Sequence, residues 1–313
     1  MAATILNALV PVFLVLGLGY GCGRRGWVDH RGVAGLNLFL MDFALPAAMF
    51  TAFSRTPARA ILADGALMGV LALCMLACYG LTLLLELKVF KVEPGRASVQ
   101  TLTVSLPNYA SVGLPLLVSL YGPGAALSAV VAVAAGALTI SPLTLVMLEH
   151  ATGPDHPSAL ARYLRALGRT VLRPIVWAPV AGLGLTLAGV PVPDALDRAF
   201  TFLGQATAGV ALFLTGLILS SYRLRVTPAV LVGVLFKNVA QPLLAYAAVR
   251  ALGLPGPVAG RTVLLVAGPA GFSGLIFGSS KEVRNEAAGA TMVLSTLLSA
   301  FTMAAAILLM GPG

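Results

Sequence analysis

The chain has 313 residues, of which 58% are hydrophobic and only 10% are charged. A soluble domain carries roughly 25% charged residues, so this composition excludes an ordinary soluble protein. The formal charge of +9 does not indicate nucleic-acid binding, because the basic residues lie in short loops between long apolar runs. We therefore predict a multi-pass α-helical protein in a lipid bilayer, with no nucleic-acid partner.

Ten apolar segments are predicted to cross the membrane, since each is close to the roughly 20 residues that a spanning helix needs. Turns rich in Pro and Gly separate several of them, as at 121–124, 191–193 and 255–257. The predicted spans, in chain order, are residues 3–22, 33–53, 62–87, 98–120, 124–148, 171–190, 198–220, 228–250, 260–280 and 287–310.

The basic residues in the loops predict the orientation of these spans. Loops that follow odd-numbered spans hold 14 Lys and Arg residues, whereas loops that follow even-numbered spans hold 5. Loops rich in Lys and Arg stay in the cytoplasm. We therefore expect a bacterial inner-membrane protein with both termini outside the cytoplasm.

A polar linker at 149–170 divides the ten spans into two sets of five. Because five is an odd number, the second set enters the membrane from the opposite side. The predicted fold is thus an all-α membrane protein made of two inverted five-helix repeats, residues 1–148 and residues 171–313.

Prolines support a common offset between the two halves. Pro107 and Pro269 are 162 positions apart, and Pro11 and Pro174 are 163 positions apart. Proline removes a backbone donor and clashes with the preceding helical turn, so spans 4 and 9 are expected to be broken near Pro107 and Pro269.

Broken helices at membrane depth are tolerated where they are buried or line a wet cavity. Two of them at matching positions indicate a transporter's binding site, although Pro and Gly also make ordinary kinks in membrane helices. The N-termini of the second half-helices offer free N–H groups that suit a carboxylate. The candidate substrate-binding residues here are Pro107, Asn108, Ser111 and Gly113 in span 4, and Pro269, Gly271 and Ser273 in span 9.

Four short motifs occur in a fixed order within this frame. They are Ala44-Leu45-Pro46 in span 2, Ser105-Leu106-Pro107-Asn108 with Gly113-Leu114-Pro115 in span 4, Phe236-Lys237-Asn238 with Gln241-Pro242 in span 8, and Pro269 with Ser273 in span 9. In these motifs the sequence resembles the auxin efflux carrier family, which includes plant auxin exporters and bacterial permeases for malonate, malate and related acids.

The resemblance implies that spans 4 and 9 cross at mid-membrane, with substrate bound at the crossing and Asn108 as the family's span-4 asparagine. It implies a scaffold of spans 1, 2, 6 and 7, a moving transport unit of spans 3–5 and 8–10, and a homodimer formed through the scaffold. Two features depart from the plant carriers: Ala270 follows Pro269 where they have Asn, and a short linker replaces their long central loop.

Polar residues inside other spans are further candidates. Asp42 in span 2 is a candidate for binding a coupling H⁺ or Na⁺, because a carboxylate at membrane depth is costly. Lys237 in span 8, followed by Asn238, either attracts an anionic substrate or pairs with a carboxylate such as Asp42. Gln205 in span 7 is a candidate hydrogen-bond donor to substrate, with helix–helix bonding as the alternative.

The sequence therefore predicts a secondary active transporter of a small mono- or dicarboxylate, working by an elevator-like alternating-access mechanism. The alternative is a sodium-coupled symporter of a bulkier organic anion, resembling the bile acid symporters. No enzymatic activity, organic cofactor or metal site is expected, because the three His residues lie in loops and no nucleotide-binding sequence is present. A channel, a membrane enzyme and a sensor are less consistent with these motifs.

Overall fold

A computed structural model describes residues 2–57, 65–152, 164–165, 168 and 171–310 of the chain. Most of the predicted linker 149–170 lies outside these residues. In the described part every regular secondary-structure element is a helix, which confirms the all-α prediction.

The helices of the first half match the predicted spans 1 to 5 to within about four residues at most ends. Spans 2 and 4 each contain a five-residue π-helical turn, Leu40–Ala44 and Tyr109–Gly113. The helices are α1 Ala2–Arg24, α2 His30–Phe39, α3 Leu45–Ser54, α4 Gly65–Lys88, α5 Pro94–Ser105, α6 Leu114–Tyr121, α7 Ala126–Leu138 and α8 Ile140–Thr152.

The described residues of the second half also form helices. Here the span-8 region contains the π-helical turn Phe236–Ala240. The helices are α9 Pro174–Ala188, α10 Asp194–Ser220, α11 Pro228–Leu235, α12 Gln241–Ala251, α13 Gly256–Ala267, α14 Ser273–Ser280 and α15 Glu286–Met310.

Seven helical segments in the described residues are long and apolar enough to cross a membrane. The three other predicted spans form shorter apolar helices. Pro residues interrupt spans 4 and 9, and α9, which corresponds to span 6, has only 15 residues. Large apolar side chains such as Phe202 and Phe301 are about three-quarters exposed, as expected of a surface that faces lipid. The ten-span arrangement itself stays a prediction.

Helix α1 packs along α10, and α9 packs along α3. Glycines permit the first contact: a Cβ at Gly19 would meet the carbonyl of Phe213, and one at Gly216 would meet the carbonyl of Leu16. A side chain at either glycine would therefore push the two helix backbones apart.

Each of the three π-helical turns is followed by a proline: Pro46, Pro115 and Pro242. A proline cannot donate to the carbonyl four residues earlier, and its ring clashes with that carbonyl. The three carbonyls concerned belong to Asp42, Ser111 and Asn238. The prolines thus account for the local widening of the helix at three polar residues, and π-turns of this kind recur at functional sites.

Candidate functional site

The two broken helices meet at their interruptions. Pro107 and Ala270 face each other in an antiparallel bridge. The N–H of Asn108 donates to the carbonyl of Pro269, and the N–H of Gly271 donates to the carbonyl of Leu106, both at 2.9 Å. Each interruption therefore satisfies backbone groups that the other leaves free, as burial requires.

Glycine is needed at this contact. A Cβ at Gly271 would collide with the carbonyl oxygen of Leu106, and one at Gly274 would collide with the backbone and side chain of α5 at Val99 and Thr103. The two segments can approach this closely because neither glycine carries a side chain.

Asn108 is fixed by neighbours from two helices. Its side-chain oxygen accepts from the N–H of Ser111 at 3.3 Å, and its amide donates to the Thr215 hydroxyl of α10 at 3.1 Å. The Thr215 hydroxyl also lies 3.0 Å from the Ser111 hydroxyl and 2.8 Å from the carbonyl of Ala211. The interruption of span 4 is thus hydrogen-bonded to the middle of α10.

Asn238 supports the interruption of span 9. Its side-chain oxygen accepts from the Ser295 hydroxyl at 2.6 Å, and its amide donates to the Ser295 carbonyl at 3.1 Å. Ser295 in turn accepts from the N–H of Ala270 at 3.0 Å. Asn238 therefore acts through Ser295 on the backbone of the break, and it does not line the cavity described below.

Lys237 is fully buried and donates to the side-chain oxygen of Gln241 and to the carbonyl of Val266. In the part of the chain that the structure describes, no ion pair joins it to Asp42. The predicted pair of Lys237 with Asp42 is therefore not formed. The other predicted role, attraction of an anionic substrate, stays a prediction.

A cavity of about 140 Å³ lies beside the two interruptions. It brings together five of the predicted residues: Asp42, Pro107, Asn108, Gly271 and Ser273. The cavity does not reach the others. Ser111, Gly113 and Pro269 lie buried behind its wall, and Gln205 is exposed on α10 away from it.

Acidic, basic and neutral polar groups line the cavity. Asp42 lies on one wall, and Arg173, which precedes α9, lies at its exposed edge. Helix α14 begins at Ser273 with no side chain capping its first N–H groups. Its N-terminus therefore presents partial positive charge beside Ser273, Gly271 and Asn108.

Several residues of this region were missed from the sequence. The sequence indicates Arg173 only as one of the 14 basic residues of the cytoplasmic loops. It gives Gln241 only as part of a motif, although Gln241 lies one helical turn after Lys237 and therefore on the same face. Asn37, which also lines the cavity, is not among the predicted site residues. The i, i+4 spacing of Lys237 and Gln241 was the one available signal.

Comparison with known proteins agrees with this picture. The family model described as "Membrane transport protein" matches residues 4–307. The chain is 29% identical over 300 residues to the "Uncharacterized transporter YfdV" of Escherichia coli (strain K12), covering 95% of each chain. It is also 29% identical over 322 residues to the "Putative malonate transporter" of Rhizobium meliloti (strain 1021), covering 99% of this chain and 97% of the relative. The chain therefore belongs to the membrane transport protein family, the family of the auxin efflux carriers that its motifs resemble.

Proposed function

We propose that this membrane transporter is a secondary active carrier of a small organic anion, a mono- or dicarboxylate such as malonate or malate, and that it works by elevator-like alternating access. The observation that carries the proposal is the cavity at the paired interruptions, where Asn108, Gly271 and Ser273 converge. The relative named for malonate supports this substrate class.

The cavity suits a small acid. Its volume of about 140 Å³ is below the roughly 300–1,000 Å³ of sites for drug-sized ligands. A carboxylate bound against the first turn of α14 accepts from its free N–H groups, and the Asn108 amide adds a donor at the same wall.

Asp42 is the candidate residue for binding a coupling cation. Its carboxylate lines the cavity that the anion enters, so an ionised Asp42 repels the substrate. Removing this charge should therefore strengthen acid binding. We expect Asp42→Asn to bind the acid more tightly than wild type does; Glu93→Gln, exposed and remote, is the matched control and should bind as wild type does.

The helix positions support the inverted repeat. Pro107 and Ala270, which face each other, are 163 positions apart. Moving the bounds of α4, Gly65–Lys88, by the same 163 positions gives 228–251, the bounds of the segment Pro228–Ala251. The same shift also maps one backbone hydrogen bond at the interruptions onto the other: the bond from Asn108 to Pro269 becomes the bond from Gly271 to Leu106. The contacts of α1 with α10 and of α9 with α3 support a scaffold of spans 1, 2, 6 and 7.

The position of the cavity supports an inward-facing state. Asp42, Leu45, Val133 and Ala137 of its lining lie near mid-span. Eight other lining residues lie in the parts of their spans nearest the loops after odd-numbered spans, which are the basic loops. They are Asn37 and Met41 of span 2, Ser141 and Leu145 of span 5, Arg173 and Ile175 at the start of span 6, and Ile276 and Phe277 of span 9. By the positive-inside rule these ends face the cytoplasm.

A thermal-shift screen of the purified protein tests the function. Malonate, malate, succinate, lactate, 2-oxo acids and indole-3-acetate are added at two pH values, since a ligand that binds the folded state raises the melting temperature. We expect a shift with a small acid that is lost in Asn108→Ala and kept in Gln205→Ala, whose side chain lies outside the cavity. Uptake of the same acid into liposomes then tests carriage. No shift with any acid, in folded protein, would contradict the proposed substrate class.

A further inference from the structure

Two buried helix C-termini are linked by the side chains of Lys237 and Gln241. Helix α5 ends at Ser105 and α13 ends at Ala267, and both residues are fully buried. The last carbonyls of a helix have no intrahelical partner and carry partial negative charge. In an environment without water such groups need a donor or a cation.

Hydrogen bonds connect Lys237 to the ends of both α5 and α13. The ammonium nitrogen of Lys237 donates to the carbonyl of Val266, at the end of α13, at 2.7 Å, and to the side-chain oxygen of Gln241 at 2.9 Å. The side-chain nitrogen of Gln241 donates to the carbonyl of Ser105, the last residue of α5, at 2.8 Å. Lys237 thus contacts one helix end directly and the other through Gln241.

The ammonium has no carboxylate partner among the described residues: its hydrogen-bond acceptors are a backbone carbonyl and a side-chain amide. Its exposed fraction is 0%, and that of Gln241 is 1%. Oxygen acceptors of this kind at half-helix C-termini are also what transporters use to bind a coupling cation. The lysine therefore sits where a free cation would be held.

We propose that the Lys237 ammonium is a tethered cation that replaces a coupling Na⁺ at these helix ends, so that neither the fold nor substrate binding requires Na⁺. For substrate binding, this inference rests on the proposed function. Lys237 is a positioning residue in this account: it acts on the cavity through the ends of α5 and α13 and does not touch the substrate.

The test measures the melting temperature of purified wild type, Lys237→Ala and Lys237→Met in NaCl, KCl and choline chloride at equal ionic strength. It is made first without any acid, so that its result does not depend on the transport proposal. We expect wild type to melt at the same temperature in all three salts. Lys237→Ala should melt lower in choline and regain at least half of the lost temperature with Na⁺ or with millimolar propylammonium, which fits the space left by the side chain.

Lys237→Met separates charge from packing. Methionine fills most of the same volume without the charge, so we expect a lower melting temperature that added propylammonium does not restore. Asn238→Ala, in the same π-helical turn, is the control: it should lose stability without any response to cations.

Three results overturn the inference: a wild-type melting temperature or acid affinity that depends on Na⁺, a Lys237→Met variant as stable as wild type, or a folded Lys237→Ala variant that no cation stabilises. If Lys237→Ala yields no folded protein, the wild-type and Lys237→Met measurements decide. Cation rescue without any acid binding would support the tethered cation and contradict the carboxylate substrate instead.

Discussion

The side-chain amide of Asn108 donates to the hydroxyl of Thr215, 3.1 Å away, and joins the interruption of span 4 to the middle of α10. Asn108 also lines the cavity. The residue proposed to meet the substrate is thus held by a helix of the proposed scaffold. Under the proposed elevator mechanism, the transport unit would exchange this bond during its cycle.

Replacing Thr215 by valine keeps the side-chain shape and removes the hydroxyl. The buried amide of Asn108 then loses its acceptor, and such an unsatisfied donor costs about 1–3 kcal/mol. We expect a lower melting temperature for Thr215→Val and near-normal stability for Thr215→Ser. Equal stability of the valine and serine variants would show that the hydrogen bond contributes little.

Arg173 is expected to attract the substrate at the exposed edge of the cavity. An exposed charge interaction contributes up to about 1 kcal/mol, so Arg173→Gln should weaken acid binding about two- to five-fold and reduce its salt dependence. The measurement is a titration of the acid at two salt concentrations. Arg225→Gln, also exposed and next to a basic loop but outside the cavity, should bind as wild type does. An equal loss of acid binding in both variants would show that the general positive charge of the proposed cytoplasmic face attracts the acid, rather than Arg173 itself.

Gly271 allows the two interruptions to touch. A Cβ at this position collides with the Leu106 carbonyl, so Gly271→Ala should destabilise the protein by about 1–3 kcal/mol through overpacking and should also weaken acid binding. Gly184 in α9 has open space where a Cβ would lie, and Gly184→Ala should be neutral or slightly stabilising. Thermal melting with and without acid compares them. A Gly271→Ala variant that melts and binds like wild type would contradict the close contact.

The orientation of the cavity can be measured with single cysteines in a variant whose half-buried Cys22 is replaced by alanine. Cys74 and Cys78 are buried and are kept. An impermeant maleimide should label Ser273→Cys only from the cytoplasmic side, and bound acid should slow that labelling. Val190→Cys, exposed after α9, should react only from the outside. The reverse pattern would mean that the chain is inserted with its termini in the cytoplasm.

Much of the fold follows from local chemistry and was predictable. Long apolar runs form helices in a membrane whatever their neighbours are, and Pro107 and Pro269 break a helix through their own rings. The sequence by itself therefore determined that the chain is a helical membrane protein, where spans 4 and 9 are interrupted, and which motifs place it in its family.

The partners of the polar residues were decided by tertiary packing. The sequence allowed Lys237 to pair with Asp42, but Lys237 binds Gln241 and Val266 while Asp42 lines the cavity. Likewise Gln205, a candidate from the sequence, lies outside the cavity, whereas Arg173, which the sequence did not single out, lies at its exposed edge. Which side chains meet depends on the rotation and contact of helices far apart in the chain, and an apolar helix pattern leaves that rotation undetermined because lipid and protein interior are both apolar.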